Sequence, residues 1–228
     1  MADLRVKTSS KQVGAAGVSN FVYPKALLDG TPFGAEWLQK MALEGRMYTA
    51  NAGTGTAPIT FAAAYTATAP DLDMSVPSGV LIIPVAIHVQ FEAFGTTALF
   101  EVVASYGKAG VIAPTSATAV TPVNHRLDMG NDSGVTIVSD GTGATYMTPA
   151  ASVIEFWRDG QDKVVTIVTA LDTTPRGGCS FDWSAMKSGV WPIMYALDGI
   201  TRLNVHASAQ AGAGFITITF VRPPLAVE

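Results

Sequence analysis

The sequence predicts an antiparallel all-β sandwich, preceded by an extended N-terminal arm and one short helix. Three observations carry this. From Arg46 onward the chain is a succession of short runs rich in Val, Ile, Thr and aromatic residues. Gly, Pro, Asn and Asp punctuate those runs, as they do between strands. Several runs also alternate apolar and polar residues with a period of two, which turns one strand face to a core and the other outward.

Residues 1–30 have scattered Gly, Ser and Pro and no sustained periodicity, so they read as an extended arm. Thr31-Pro32 has the form of an N-cap followed by proline at the first helical position, and Trp37, Leu38 and Met41 then fall at helical spacing before Gly45. This is the one helix expected, and it divides the chain into an arm with helix, 1–45, and a β domain, 46–228.

In VAIHVQFEA, Val85, Ile87, Val89, Phe91 and Ala93 alternate with Ala86, His88, Gln90 and Glu92, the pattern of a half-buried strand. Gly95-Thr96-Thr97 then leads into LFEVVASY, where Phe100, Val102, Ala104 and Tyr106 form the next apolar face, so the pair is expected to be a long hairpin. A second hairpin is expected where SVIEFWR meets Asp159-Gly160-Gln161-Asp162 and continues into KVVTIVTAL, with Val165, Ile167 and Leu171 on one face. Leu203, Val205 and Ala207 alternate with Arg202, Asn204, His206 and Ser208, and Ile216, Ile218 and Phe220 with Thr217, Thr219 and Val221, before Pro223-Pro224 closes the last strand. Further strands are expected near Pro58–Thr66, Ala119–Arg126, Val135–Val138 and Val190–Ala196, for about nine or ten in all. Their loops are of unequal length, which favours a jelly roll over uniform up-and-down hairpins; an immunoglobulin-like sandwich is the second choice. No repeat of fixed period is present, which argues against a propeller or solenoid.

With 48% hydrophobic and only 14% charged residues, the 228-residue chain carries less charge than the usual quarter or so, a composition suited to burial against neighbours. A net charge of −4 argues against a nucleic-acid-binding domain. Arg5, Lys7 and Lys11 make the first twenty residues locally basic, which fits either an arm that touches a partner or a solvated tail. Met1–Asn20 lacks the apolar stretch of a secretory signal, so assembly in a cytoplasm is expected. The longest apolar run, Val80–Ile87, is interrupted by Pro84 and is too short for a membrane-spanning helix. Cys179 is the single cysteine, so no intrachain disulfide can form and no cysteine-rich zinc site can be built.

The sequence yields no catalytic, cofactor-binding or metal-ligating assignment. His88, His125 and His206 are the only histidines available for a cupin-type metal site, but His88 and His206 fall on the polar faces of their strands, so surface histidines are expected. There is no G-x-S-x-G elbow before a helix and no P-loop or G-x-G-x-x-G fingerprint. The carboxylate pairs Asp71/Asp73 and Asp128/Asp132 sit in no complete calcium-loop pattern, and Asp is common in turns for its side-chain-to-backbone hydrogen bonds. Trp157, Trp183 and Trp191 suit sugar stacking, an interface or a core. Trp157 shares a partly apolar face with Val153 and Glu155, which makes it the foremost candidate for an interface anchor.

The segment Ser116–Gly143, SATAVTPVNHRLDMGNDSGVTIVSDGTG, resembles jelly-roll structural proteins of tailed-bacteriophage virions, in which a Thr-Pro-Val-Asn step leads into a Gly/Asn/Ser turn and another strand. The preceding stretch, VAIHVQFEAFGTTALFEVVASYGKAG, resembles the strand pair that comes before that step, whereas the helix near Trp37 is not part of the pattern. The resemblance implies a non-enzymatic capsid decoration or cement protein. Such a protein forms homo-oligomers, here expected to be trimers, on or between copies of a major capsid protein. A capsid shell subunit and a tail-associated carbohydrate- or receptor-binding module are the alternatives.

Overall fold

A computed structural model of the chain describes residues 6–7, 21–22, 37–62, 69–94, 99–108, 116–140, 153–162, 179–208 and 212–224. Two compact units are formed, Met1–Lys40 and Met41–Glu228. In the first, β1 (Val6–Lys7) pairs antiparallel with β2 (Phe21–Val22), so two short pieces of the expected arm pair with each other. Helix α1 (Trp37–Leu43) runs from the first unit into the second, and Gly45, at φ 68°, donates to the Ala42 carbonyl and stops the turn. Thr31-Pro32 lies outside the described residues.

Among the described residues the second unit is all-β apart from the end of α1 and one short helix. Its strands are β3 (Met47–Ala52), β4 (Ile59–Thr60), β5 (Leu72–Pro77), β6 (Ile83–Phe94), β7 (Leu99–Lys108), β8 (Thr118–Val120), β9 (Val123–Asn124), β10 (Thr136–Ser139), β11 (Val153–Asp162), β12 (Cys179–Ser184), β13 (Ile200–Ser208) and β14 (Gly212–Val221). Helix α2 (Ala185–Ser188) follows β12 and ends on Gly189, whose φ of 71° is the left-handed conformation that glycine adopts without strain. Two antiparallel sheets result, one in the order β11-β7-β13-β5-β10-β8 and the other in the order β12-β6-β14-β3-β9, with β4 paired to β14.

Side chains from both sheets form one core. Leu72, Met74 and Leu203 come from the first sheet and Ile87, Phe91, Ile216 and Phe220 from the second, all 1% exposed or less. Phe91 meets Phe61 and Phe181 edge-on, at centroid distances of 4.9 and 5.9 Å, a geometry that matches ring edge to ring face. The alternation expected for β6 and β14 is present: Ile87, Val89, Phe91, Ile216, Ile218 and Phe220 point inward. Gly214 on β14 is required by close approach. A β-carbon there would strike the Gln90 carbonyl and come within 2.8 Å of the Phe61 ring.

Several expected elements are corrected. β6 and β7 are not a hairpin: β6 pairs with β12 and β14, and β7 with β11 and β13 in the opposite sheet. Asp159-Gly160-Gln161-Asp162 is no turn, because β11 runs through it in register with Val102–Leu99 of β7. Its expected partner, 163–171, lies outside the described residues, as do 63–66 of the strand expected near Pro58. Ala119–Arg126 is broken by Pro122 into β8 and β9, which join different sheets. Val190–Ala196 is no strand; it holds a single bridge, Met194 with Ile82. β3, β5, β12 and α2 have no counterpart among the expected elements.

Candidate assembly surface

The polar faces of the sheets come first. On the second sheet, cross-strand neighbours are joined by short bonds: His88 Nδ1 to Asp182 Oδ1 (2.5 Å), Thr217 Oγ1 donating to Asn51 Oδ1 (2.8 Å), and Thr49 Oγ1 bonded to both Thr219 Oγ1 (2.9 Å) and His125 Nε2 (2.7 Å). His88 and His125 therefore lie on an exposed sheet face, each held by a neighbour. His206 does not. The expectation of a surface histidine is corrected there, because β13 is interior to its sheet and is buried on both faces, leaving His206 5% exposed with its pKa lowered to about 4 by desolvation.

Around His206 the outward face of β13 holds a buried ion pair. Arg202 Nη1 donates to Asp73 Oδ2 at 2.9 Å, with side-chain exposures of 5% and 3%. Ser75 Oγ donates to the same carboxylate oxygen at 3.2 Å, and Asn204, with its amide nitrogen turned to the acceptors that face it, donates to Asp73 Oδ1 at 2.8 Å. Burial pushes the Asp73 carboxyl up to about 6 against the pull of Arg202. Asp71, two residues earlier, accepts from the backbone N–H groups of Ala62 and Ala207, both at 2.6 Å. Its carboxyl is pushed up to about 7, chiefly by burial. Asp71 and Asp73 thus point into separate hydrogen-bond networks and do not form a shared cation site. Asp128 is held by Arg126 through two 2.9 Å bonds, while Asp132 Oδ1 accepts from the Gly134 N–H at 3.2 Å, so that pair is also split between local roles. Among the described residues no group of three or more His, Cys, Asp or Glu side chains is gathered for a metal.

A cleft of about 480 Å³, lined by Pro58–Ala62, Ala69–Asp71 and Asp140, opens where β5 begins and β10 ends. The other end of the sandwich is different. Val221, the last residue of β14, pairs with both Met47 and Ile83, the first residues of β3 and β6. Pro77, the last of β5, pairs with Ile200, the first of β13, and only residues 78–82 separate β5 from β6, so the two sheets share this end.

Twelve large apolar side chains are exposed among the described residues, and the eleven that belong to residues 41–228 all lie at this shared end. They fall into two groups. One surrounds the turn between α1 and β3 and the loop after β9: Leu43 (55% exposed), Val123 (45%), Leu127 (85%) and Met129 (44%). Arg126 Nη1 donates to the Leu43 carbonyl and its other nitrogens hold Asp128, so the charges of that loop are neutralised in place. The other is the strap between Gly189 and Gly199; Ile154, Met186 and Ile200 are exposed at the same end. Ile82 and Met194 exchange N–H···O bonds of 3.0 and 2.9 Å, and Gly79 N–H donates to the Ala196 carbonyl. Pro192, Met194 and Ala196 are thereby turned inward, and Val190, Ile193 (60%), Tyr195 (38%) and Leu197 (86%) outward. Summed over both groups, the eleven residues expose on the order of 1,000 Å², so each group alone is about the size of the largest apolar patch that a monomer usually carries.

Trp157 is corrected from anchor to core: a β-bulge between Glu155 and Trp157 shifts the alternation, turning Trp157 inward to 9% exposure and Arg158 outward to Glu101 and Glu155. Lys7 lies on β1, and Arg5 and Lys11 lie outside the described residues. Trp183 is 4% exposed and Trp191 half-buried, so neither Trp157 nor Trp183 offers a face to a sugar ring. A strand over Val190–Ala196, which the sequence suggests, hides the apolar end; its signal is the run from Val190 to Leu197, which has no polar face at all. No family model, curated protein or solved structure matches the chain.

Proposed function

We propose that the chain is a non-enzymatic structural protein of a tailed-phage virion, a jelly roll that decorates or cements the capsid through homo-oligomeric and capsid-protein contacts. The observation that carries the assembly part is the gathering of exposed apolar side chains at one end of the sandwich. Such a surface is costly to leave in water and is covered when copies or partners pack on it.

The jelly roll is supported by strand order. Eight strands, β3, β5, β6, β7, β11, β12, β13 and β14, are arranged β3-β14-β6-β12 in one sheet and β5-β13-β7-β11 in the other. Every consecutive pair of these changes sheet except β7 and β11, which lie side by side, and this is the order of two interlocked Greek keys. The segment that resembles phage virion proteins, Ser116–Gly143, supplies β8, β9 and β10 between β7 and β11, and it also carries Val123, Leu127 and Met129 of the apolar end.

Light scattering on the purified protein over a concentration series tests the reading. A closed homo-oligomer, with a trimer the expected size, supports it; a monomer at every concentration overturns homo-oligomeric assembly. Mass spectrometry of purified particles tests the virion part, which falls if particles lack the protein.

A further inference from the structure

The sequence holds four Asp–Gly steps, beginning at Asp29, Asp140, Asp159 and Asp198. Two lie wholly within the described residues: Asp159–Gly160 in β11 and Asp198–Gly199 just before β13. At such a step the backbone nitrogen can reach the preceding carboxyl, because glycine brings no side chain to shield it. Both steps are exposed, and they differ in where that nitrogen lies. β11 is the edge strand of its sheet, and every second N–H of an edge strand points away from the ladder. The Gly160 N–H donates to Asp159 Oδ1 at 2.8 Å, which sets its nitrogen about 3–3.5 Å from the carboxyl carbon, the separation of a near-attack pair. Among the described residues no such bond joins Gly199 to Asp198, and that step bends through a φ of 82° at the glycine. The ladder past Gly160 is also short. Only Gln161 with Phe100 and Asp162 with Leu99 pair beyond it, so little sheet has to give way for the nitrogen to close on the carboxyl.

We infer that Asp159–Gly160 is a site of self-modification, at which the Gly160 nitrogen closes on Asp159 Cγ and the aspartate isomerises to isoaspartate. The nitrogen attacks the neutral carboxyl, a C–N bond forms, and the carboxyl C–O bond breaks. Its OH leaves with the amide proton as water. The five-membered imide then takes up one water. Addition at the Asp159 backbone carbonyl breaks that carbon's bond to the Gly160 nitrogen and leaves the chain joined through the side chain, as isoaspartate; addition at Cγ restores aspartate. Water is the only co-reactant, and the composition of the chain is unchanged. Isoaspartate carries one more carbon in the main chain, so Gln161 and Asp162 lose their register with Phe100 and Leu99. Trp157 and the bulge precede the step, and the core is untouched. The modification thus loosens the end of one edge strand and leaves the sandwich standing.

The full chain is incubated for weeks at physiological temperature and mildly acid pH, then digested and labelled with an isoaspartyl methyltransferase, and the labelled peptides are mapped. The native protein is expected to collect isoaspartate at position 159 several-fold faster than at position 198. In heavy-oxygen water each converted chain should carry one oxygen from the solvent at that step. In urea, where the Gly160–Asp159 contact is lost, the two positions are expected to react at similar rates. Asp159→Glu would need a six-membered ring to react, so its position 159 is expected to stay unlabelled while position 198 is unaffected. Native conversion at 159 that is no faster than at 198 overturns the inference. An excess at 159 that persists unchanged in urea overturns it too, since the cause would then be local sequence and not the contact. Label that survives at 159 in the Asp159→Glu variant overturns the assignment of the reacting carboxyl.

Discussion

Among the described residues, Asp71, Asp73 and His206 are buried titratable groups that bear on the pH response, and they do not all pull the same way. In the folded chain Asp71 keeps its proton up to about pH 7 and Asp73 up to about pH 6, whereas both ordinarily lose it near 3.8. Their contribution to stability is fully present below 3.8 and is lost as pH rises through those folded values. His206 is the opposite case. Its folded pKa is lowered from 6.5 to about 4, so its contribution is present above 6.5 and is lost as pH falls through 4. Two carboxyls outweigh one imidazole, and urea midpoints are expected to fall between about pH 4 and 6 in the wild type; Asp71→Asn should make that fall shallower and should leave the His206 limb intact. The Asp73–Arg202 pair gives a second test. Arg202→Met removes the cation that holds the Asp73 carboxyl down, so that group keeps its proton to higher pH, and denaturant unfolding at neutral pH should show a loss of about 1–3 kcal/mol from the hydrogen bonds left unmade. Gly214→Ala should cost about 1–3 kcal/mol by overpacking, since the group that its new methyl meets is backbone and cannot swing away.

Elements obey their local pattern and then choose partners by other rules. β6 has the alternation that its sequence predicts, yet the short link after it leads to the opposite sheet and not to a neighbouring strand. Apolar spacing tells which side chains face a core, and it is silent on which sheet covers them. In β11 one extra residue at the bulge moved Trp157 to the core, a change that no period-two count can see. Trp157→Ala is accordingly expected to lower stability by about 3–5 kcal/mol in urea unfolding, the loss of a large core side chain, without acting first on oligomer mass. The strap owes its exposed face to two bonds with Ile82 and one with Gly79, which fix three small or apolar side chains inward and leave their alternates to solvent.

At the scale of the whole sandwich unit the two ends differ in kind: a cleft lined by the buried Asp71 and the half-buried Asp140 at one, apolar groups at the other. That asymmetry makes a testable statement about partners in solution. Sedimentation or light scattering of the wild type should show a species larger than a monomer whose population grows with concentration, and high salt should leave it intact, because apolar contacts are not screened as ion pairs are. Dissociation by salt alone would mean that charges and not these side chains hold the copies together.

The sequence by itself determined the all-β class, the inward faces of β6, β13 and β14, and the helix near Trp37, because each follows from short-range periodicity and from what Gly, Pro and Asn do to a backbone. Tertiary structure alone decided the rest. Strand partners lie far apart in the chain, as Asp73 and Arg202 do, so hairpins that looked complete locally were exchanged for cross-sheet connections. Burial of β13 on both faces placed His206 out of water. The apolar end is likewise assembled from residues 43, 127 and 197, whose nearness at one end follows from sheet order and register and not from any spacing along the chain.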